Sequence, residues 1–154
     1  ILDARTLCLS KISAIQGSGI WFLVTQPIGF LVSIISIQAE LERIPFDIPE
    51  AETEIVAGWL TEYTGRKLAL MRLANDVKLF LFSSLVVTLY LGGPWFMGQA
   101  NILFFLIKVL VVVILTSIIR ALFARFRIDQ ALEIFWKYVI PLSLVQVMIS
   151  LFIG

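Results

Sequence analysis

Two stretches of this sequence, Ile12 to Ala39 and Leu79 to Ile107, contain no charged side chain. A bilayer's hydrocarbon core is crossed by about 20 mostly apolar residues in a helix, and backbone groups in lipid must be satisfied within the helix itself. Either stretch can therefore span a membrane. Ile102 to Ile119 is interrupted only by Lys108, and Tyr138 to Gly154 is again uncharged, with Ile134, Phe135 and Trp136 extending it backwards past Lys137. With 60% hydrophobic and only 15% charged residues, the chain lacks the polar surface of a water-soluble domain. The fold class expected is all-α, a polytopic transmembrane helix bundle forming a single membrane domain over residues 1–154. Its four spans are placed at Gly19 to Gln38, Leu79 to Trp95, Ile102 to Ile119 and Ile134 to Ile153, with long connections at 39–78 and 120–133.

Function classes fall away quickly. The net charge is +1 with basic residues spread along the chain, so there is no polybasic arm for nucleic acid. One cysteine, Cys8, and no histidine exclude a disulfide framework, a CxxC metal site, a cysteine-ligated iron–sulfur cluster, histidine-ligated haem and a Ser-His-Asp triad within this sequence. No catalytic, cofactor-binding or metal-binding residue is expected here, and any redox centre belongs to a partner. Ile1 is not an initiator methionine and the first ten residues lack the order of a signal peptide, so further spans are expected upstream.

The connections between spans differ. Gly92 to Asn101 is short and uncharged, with Gly92-Gly93-Pro94 as a helix stop, which predicts a tight hairpin. Arg43, Arg66, Lys67, Arg72, Lys78, Arg120, Arg125, Arg127 and Lys137, nine of the twelve basic residues, flank the other two connections. By the positive-inside rule that side is cytoplasmic. Trp21, Trp95 and Trp136 fall near span ends, as an interfacial belt or as ordinary core aromatics. Pro27 and Pro141 lie inside spans, where a lost backbone bond can kink the helix and admit water or can leave only a harmless bend. Lys108 sits about one and a half turns into its span, where a charge needs a partner, water or a snorkelling path. Its candidate partners are the loop carboxylates or an acid from another helix or subunit.

The largest anomaly is acidic. Eight of the eleven carboxylates lie between Glu40 and Asp76, and Glu40, Glu42, Asp47, Glu50, Glu52 and Glu54 crowd into fifteen residues beside one cation, Arg43. Asp47-Ile48-Pro49-Glu50 reads as a helix start with Asp47 as N-cap and Glu50 completing a capping box. Capping uses only two carboxylates, while Glu50 and Glu54 at i, i+4 repel one another. The apolar runs Ile55 to Leu60 and Leu68 to Met71 are interleaved with the acids, so parts of this connection are expected to be buried. Carboxylates held close together beside apolar surface titrate as a coupled set and can carry protons; the same acids could instead pair with basic residues of a partner.

The run Ala39-Glu40-Leu41-Glu42-Arg43-Ile44-Pro45-Phe46-Asp47-Ile48-Pro49-Glu50-Ala51-Glu52-Thr53-Glu54-Ile55-Val56-Ala57-Gly58, followed by Thr61-Glu62-Tyr63, resembles the signature of subunit 1 of respiratory complex I, a family that includes the matching membrane subunit of energy-converting membrane-bound hydrogenases. A second match lies in Ile119-Arg120-Ala121, Arg125-Phe126-Arg127-Ile128-Asp129-Gln130 and Trp136-Lys137. The resemblance runs from about Gly19 onward and corresponds to the C-terminal four helices of an eight-helix subunit.

This resemblance implies a multi-pass subunit of the cell membrane with no cofactor of its own, anchoring a peripheral redox module to the ion-pumping membrane arm of a proton or sodium pump. Glu40, Glu42, Asp47, Glu50, Glu52, Glu54, Glu62 and Lys108 become proton-relay or coupling candidates. Arg43, Arg120, Arg125, Arg127 and Asp129 become docking candidates. Quinone-reducing members usually carry alanine where this sequence has Ile44, which points to the ferredoxin-dependent hydrogenase branch. The partners implied are peripheral hydrogenase-like large and small subunits, which carry the iron–sulfur clusters and a nickel–iron centre, and antiporter-like membrane subunits. The alternatives are the quinone-site subunit of an NADH:quinone oxidoreductase, a sulfur-reducing homologue, or a purely structural docking anchor.

Overall fold

The computed structural model describes residues 4, 6–47, 63–96 and 99–153. Its elements run α1 (Leu9–Ser18), α2 (Phe22–Thr25), α3 (Pro27–Glu40), α4 (Arg66–Tyr90), the two-residue strands β1 (Trp95–Phe96) and β2 (Gln99–Ala100), α5 (Ile102–Leu122), α6 (Ile128–Ile134), a π-turn (Phe135–Val139) and α7 (Ile140–Ile153). The all-α expectation stands: the two strands form only a small antiparallel ribbon, Trp95 opposite Ala100 and Phe96 opposite Gln99, at the tip of the predicted hairpin.

Among the described residues three helical stretches, not four, are long and apolar enough to cross a membrane: Arg66–Tyr90, Ile102–Leu122 and Ile128–Phe152. The expected span from Gly19 to Gln38 is broken. Proline disfavours helical backbone in the residue before it, and Gln26 accordingly sits at φ −130°, ψ 59°. Pro27 therefore starts α3 at a position where its missing N–H costs nothing, instead of kinking a continuous helix. The 14-residue α3 is about 21 Å long at 1.5 Å per residue, short of the hydrocarbon thickness.

Pro141 behaves differently. It lies inside α7, and the turn preceding it is a π-turn in which the Ile140 N–H donates to the Phe135 carbonyl. A wider turn there gives room for a proline ring that would otherwise press on the carbonyl four residues back.

Two helices outrun their expected bounds. α4 begins at Arg66, because Arg, Lys, Leu, Ala and Met all propagate a helix well, so the charged stretch assigned to the connection is the outer half of the same helix. Of the run Leu68 to Met71, in a connection expected to be buried in part, Leu68 is half-covered while Leu70 and Met71 are exposed. On the other side, α6 starts at Ile128, which reduces the second connection to residues 123–127.

α3, α4 and α5 meet in a core of Ile34, Ile37, Leu41, Leu79, Val86, Val87, Val109 and Val112. Gln38 crosses it, its Nε2 donating to the Thr116 carbonyl at 2.6 Å. α7 packs on α3, and α1 packs on α4 and β1. Leu106, Leu110, Ile114, Leu144 and Leu151 stay exposed, the pattern of apolar helix faces that meet lipid or neighbouring helices. The bundle thus has two ends, a hairpin end at 91–101 and a loop end where residues 41–47 meet residues 120–127.

Candidate functional site at the loop end

The chain leaves α3 through a tight turn at Glu42, whose φ is +50°. The turn is closed by the Arg43 N–H donating to the Gln38 carbonyl at 3.2 Å and the Phe46 N–H to the Arg43 carbonyl at 2.8 Å. It then folds Pro45 and Phe46 inward, both buried. Phe46 meets Phe126 and Phe135 edge-on or tilted, with ring centroids 5.8 and 5.3 Å away. The Phe126 N–H donates to the Pro45 carbonyl at 3.0 Å. Two segments eighty residues apart in sequence are in this way bonded into one platform.

Charges complete the platform. The Arg125 Nε donates to the Asp47 main-chain carbonyl at 2.9 Å, and its guanidinium lies 3.7 Å from the Asp47 carboxylate. Arg43 pairs with Asp76 of α4 at 2.8 Å. Between these pairs lies a cleft of about 320 Å³ lined by Glu42, Arg43, Asp47, Arg72, Asp76 and Arg120 together with Leu41, Ile44 and Asn75. Three cations and three carboxylates thus face one small space, and Asp47 Oδ1 is buried without a hydrogen-bond partner among the described residues.

Of the sequence-predicted residues, the structure brings together Glu42, Arg43, Asp47, Arg120 and Arg125. Arg43 and Arg125, expected to face a partner, are engaged inside the chain. Glu40 points elsewhere, into an apolar groove of about 440 Å³ between α3 and α4 lined by Ile37, Phe82 and Val86. Arg127 and Asp129 are exposed at the start of α6; the Arg127 N–H is capped by Gln130 Oε1 at 3.2 Å, and Asp129 in the first turn suits the helix dipole. Glu50, Glu52, Glu54 and Glu62, the expected capping box at Asp47 to Glu50, and the apolar run Ile55 to Leu60 lie outside the described residues. Arg72, Asn75 and Asp76 were missed as site members. Their i, i+3, i+4 spacing, which places them on one helix face, was legible only once residues 66–78 were read as helix.

Lys108 belongs to the opposite end. Its ammonium donates to the carbonyls of Leu91, Gly93 and Trp95 at 2.7, 3.2 and 2.9 Å and stands 4.8 Å from the Trp21 ring centroid. In place of the carboxylate partner expected for it, the cation takes up carbonyls left open where α4 ends. Gly92 and Gly93, at φ +74° and +56°, turn these carbonyls toward it.

Both ends of the bundle fall within one family match. The sequence model of the NADH dehydrogenase family matches residues 1–151. The chain belongs to the NADH dehydrogenase family. This is the complex I subunit 1 family that its two motifs resemble. The chain is 42% identical over 154 residues to an NADH-quinone oxidoreductase subunit of Anoxybacillus flavithermus, covering 97% of this chain and 46% of the relative. It is 39% identical to an NADH-quinone oxidoreductase subunit of Geobacter metallireducens, with 97% and 45% covered. Identity to an F(420)H(2) dehydrogenase subunit of Methanosarcina mazei is 40%, with 92% and 43% covered. The chain spans somewhat less than half the length of these relatives. As a member of the NADH dehydrogenase family with three apolar helices of spanning length, it is a membrane protein.

Proposed function

We propose that this chain is the membrane anchor and coupling subunit of a complex I-like, redox-driven proton or sodium pump in the cell membrane. It would join a peripheral electron-transfer module to ion-translocating membrane subunits. The observation that carries this reading is the loop-end platform, in which Arg125 and Phe126 hold the entry to the acid-rich segment beside a cleft of six ionisable side chains.

Its chemistry follows from dielectric. A docked module would strip water from the cleft, and interactions among the charges there strengthen as the effective dielectric falls. A charge change in the module then alters which carboxylates hold protons, because neighbouring sites titrate as one coupled system. Glu40, Glu42, Asp47, Glu50, Glu52, Glu54 and Glu62 form the proposed relay set, and Arg120, Arg127 and Asp129 the docking rim. Arg43 and Arg125 position the platform. Lys108, at the far end, is assigned to holding the hairpin.

Ile44 lines the cleft where quinone-reducing members usually have alanine, and its bulk favours a ferredoxin-dependent, hydrogenase-type module. The iron–sulfur clusters and nickel–iron centre would then lie in hydrogenase-like large and small subunits, with antiporter-like subunits completing the membrane arm. The second reading, a quinone-site subunit, is favoured by relatives that are NADH-quinone oxidoreductase subunits at 42% and 39% identity. Purification of the native complex separates them: hydrogen evolution with a nickel–iron partner supports the first, and co-purified quinone with quinone-dependent oxidation supports the second. Sulfur reduction without either would replace both.

A further inference from the structure

Near the hairpin end, α3, α7 and the end of α4 line a half-open cavity of about 340 Å³ that includes Gln26, Ser33, Tyr90, Ser143, Gln146 and Ser150. These are neutral polar groups on otherwise apolar helices, and among the described residues no charged side chain lines the space. Gln146 decides what it holds. Its side chain is 7% exposed, and its Nε2 has no hydrogen-bond partner among the described residues. Around it the polar groups meet one another: Gln26 Nε2 reaches Ser150 Oγ at 3.5 Å, while Ser33 Oγ donates to the Gly29 carbonyl at 2.8 Å and lies 3.1 Å from the Tyr90 hydroxyl. A Cβ at Gly29 would stand 3.0 Å from that hydroxyl, so the absent side chain is what admits the phenol to the cavity.

An amide donor in a hydrocarbon environment needs an acceptor. A purely apolar cavity of this size would stay dry, but a polar one takes water, each molecule occupying about 30 Å³ of liquid volume and needing two to four polar partners. We propose that the cavity between α3 and α7 is a water-holding site within the membrane, in which water accepts from Gln146 Nε2 and bridges it to Ser150 and Tyr90. The lack of a charged lining residue argues against an ion, and the mixture of donors and acceptors suits water better than a lipid chain. The site is separate from the loop-end cleft and stands whichever redox module the complex carries.

The test uses the assembled complex in native membranes, with Cys8→Ser as background. A thiol reacts with a charged methanethiosulfonate only as the thiolate, which forms in water and not in lipid, so Ser150→Cys should label on the order of 10-fold or more faster than Leu144→Cys, a position 60% exposed on the lipid face. Ser143→Cys gives a second position on the same lining. Adding Gln146→Leu should slow both to the lipid-face rate. A high-resolution map of the complex in a lipid nanodisc should show water density within hydrogen-bond distance of Nε2. Labelling no faster than Leu144→Cys at both positions, or an acyl chain or protein side chain filling the space in that map, would overturn the proposal.

Discussion

Arg125 reaches across the loop end to Asp47, its Nε 2.9 Å from the Asp47 main-chain oxygen and its guanidinium 3.7 Å from the carboxylate. One side chain therefore fixes both the backbone and the charge at Asp47, the third carboxylate of the acid-rich run. Arg125→Ala removes a charge-assisted bond at a partly exposed site, and we expect a loss of about 1 kcal/mol of stability. Lys at this position keeps the charge but not the planar fork, and should fall between. Thermal unfolding of the purified complex, together with protease sensitivity of residues 48–62, measures both; an Arg125→Ala protein as resistant as the parent would show that the contact does not organise the segment.

Lys108 offers a sharper contrast between structure and coupling. Lys108→Met relieves the cost of a charge in the span but leaves the carbonyls of Leu91, Gly93 and Trp95 without their donor. We expect a net loss of about 1–3 kcal/mol, read as a lower Tm and faster proteolysis within residues 92–101. The ion-to-electron ratio of whatever complex assembles should be unchanged. A stable complex with a reduced ratio would return Lys108 to the relay.

Gly17 lies against the Trp95 side chain, and a Cβ there would stand 2.6 Å from the Trp95 Cβ. Gly17→Ala must push β1 away from α1, at a cost of about 1–3 kcal/mol. Unfolding midpoints compared with Gly65→Ala, which meets nothing within 4 Å but carries a positive φ, separate steric from backbone effects: fluorescence of the tryptophans should respond to the first substitution alone.

Cys8 is exposed, and its thiol titrates below the ordinary range, first because of the Ser10 hydroxyl 3.1 Å away and then through the N–H groups of Lys11 and Ser10. A lowered value means that the folded chain holds the thiolate more readily than the unfolded one. The alkylation rate should accordingly reach its plateau at lower pH in the native protein than after denaturation, and Ser10→Ala should move the native profile upward. Coincident native and denatured profiles would rule this out.

Sequence reading carried some of these features and not others, for physical reasons. The hairpin was legible because Gly92-Gly93-Pro94 is local chemistry, and the helical class because charge-free runs leave the backbone few options in lipid. Pro27 is visible in the sequence as a proline within an apolar run, but whether it bends a helix or starts one depends on the backbone before it at Gln26. The outer half of α4 resembles a connection in sequence because its charges mask a strong helix propensity. The partners of Lys108, Arg43 and Arg125 were out of reach: each is a contact between segments distant in sequence, and backbone carbonyls, which every residue carries, leave no mark in a sequence. The cleft's acid Asp76 was counted among the eight carboxylates of its region, but only folding places it beside Arg43.

If the proposed function holds, the acid-rich segment relays protons and does not merely dock. The most direct measurement is the number of ions moved per electron by the purified complex in sealed vesicles, with Glu50→Gln, Glu52→Gln, Glu54→Gln and Glu62→Gln introduced one at a time. Glutamine keeps the size and most hydrogen bonding but cannot carry the proton. With a relay, the complexes assemble and transfer electrons while the ratio drops, most clearly at Glu52, Glu54 and Glu62, which have no capping role to explain them. Normal assembly with an unchanged ratio in all four would contradict it and leave the segment as a docking surface.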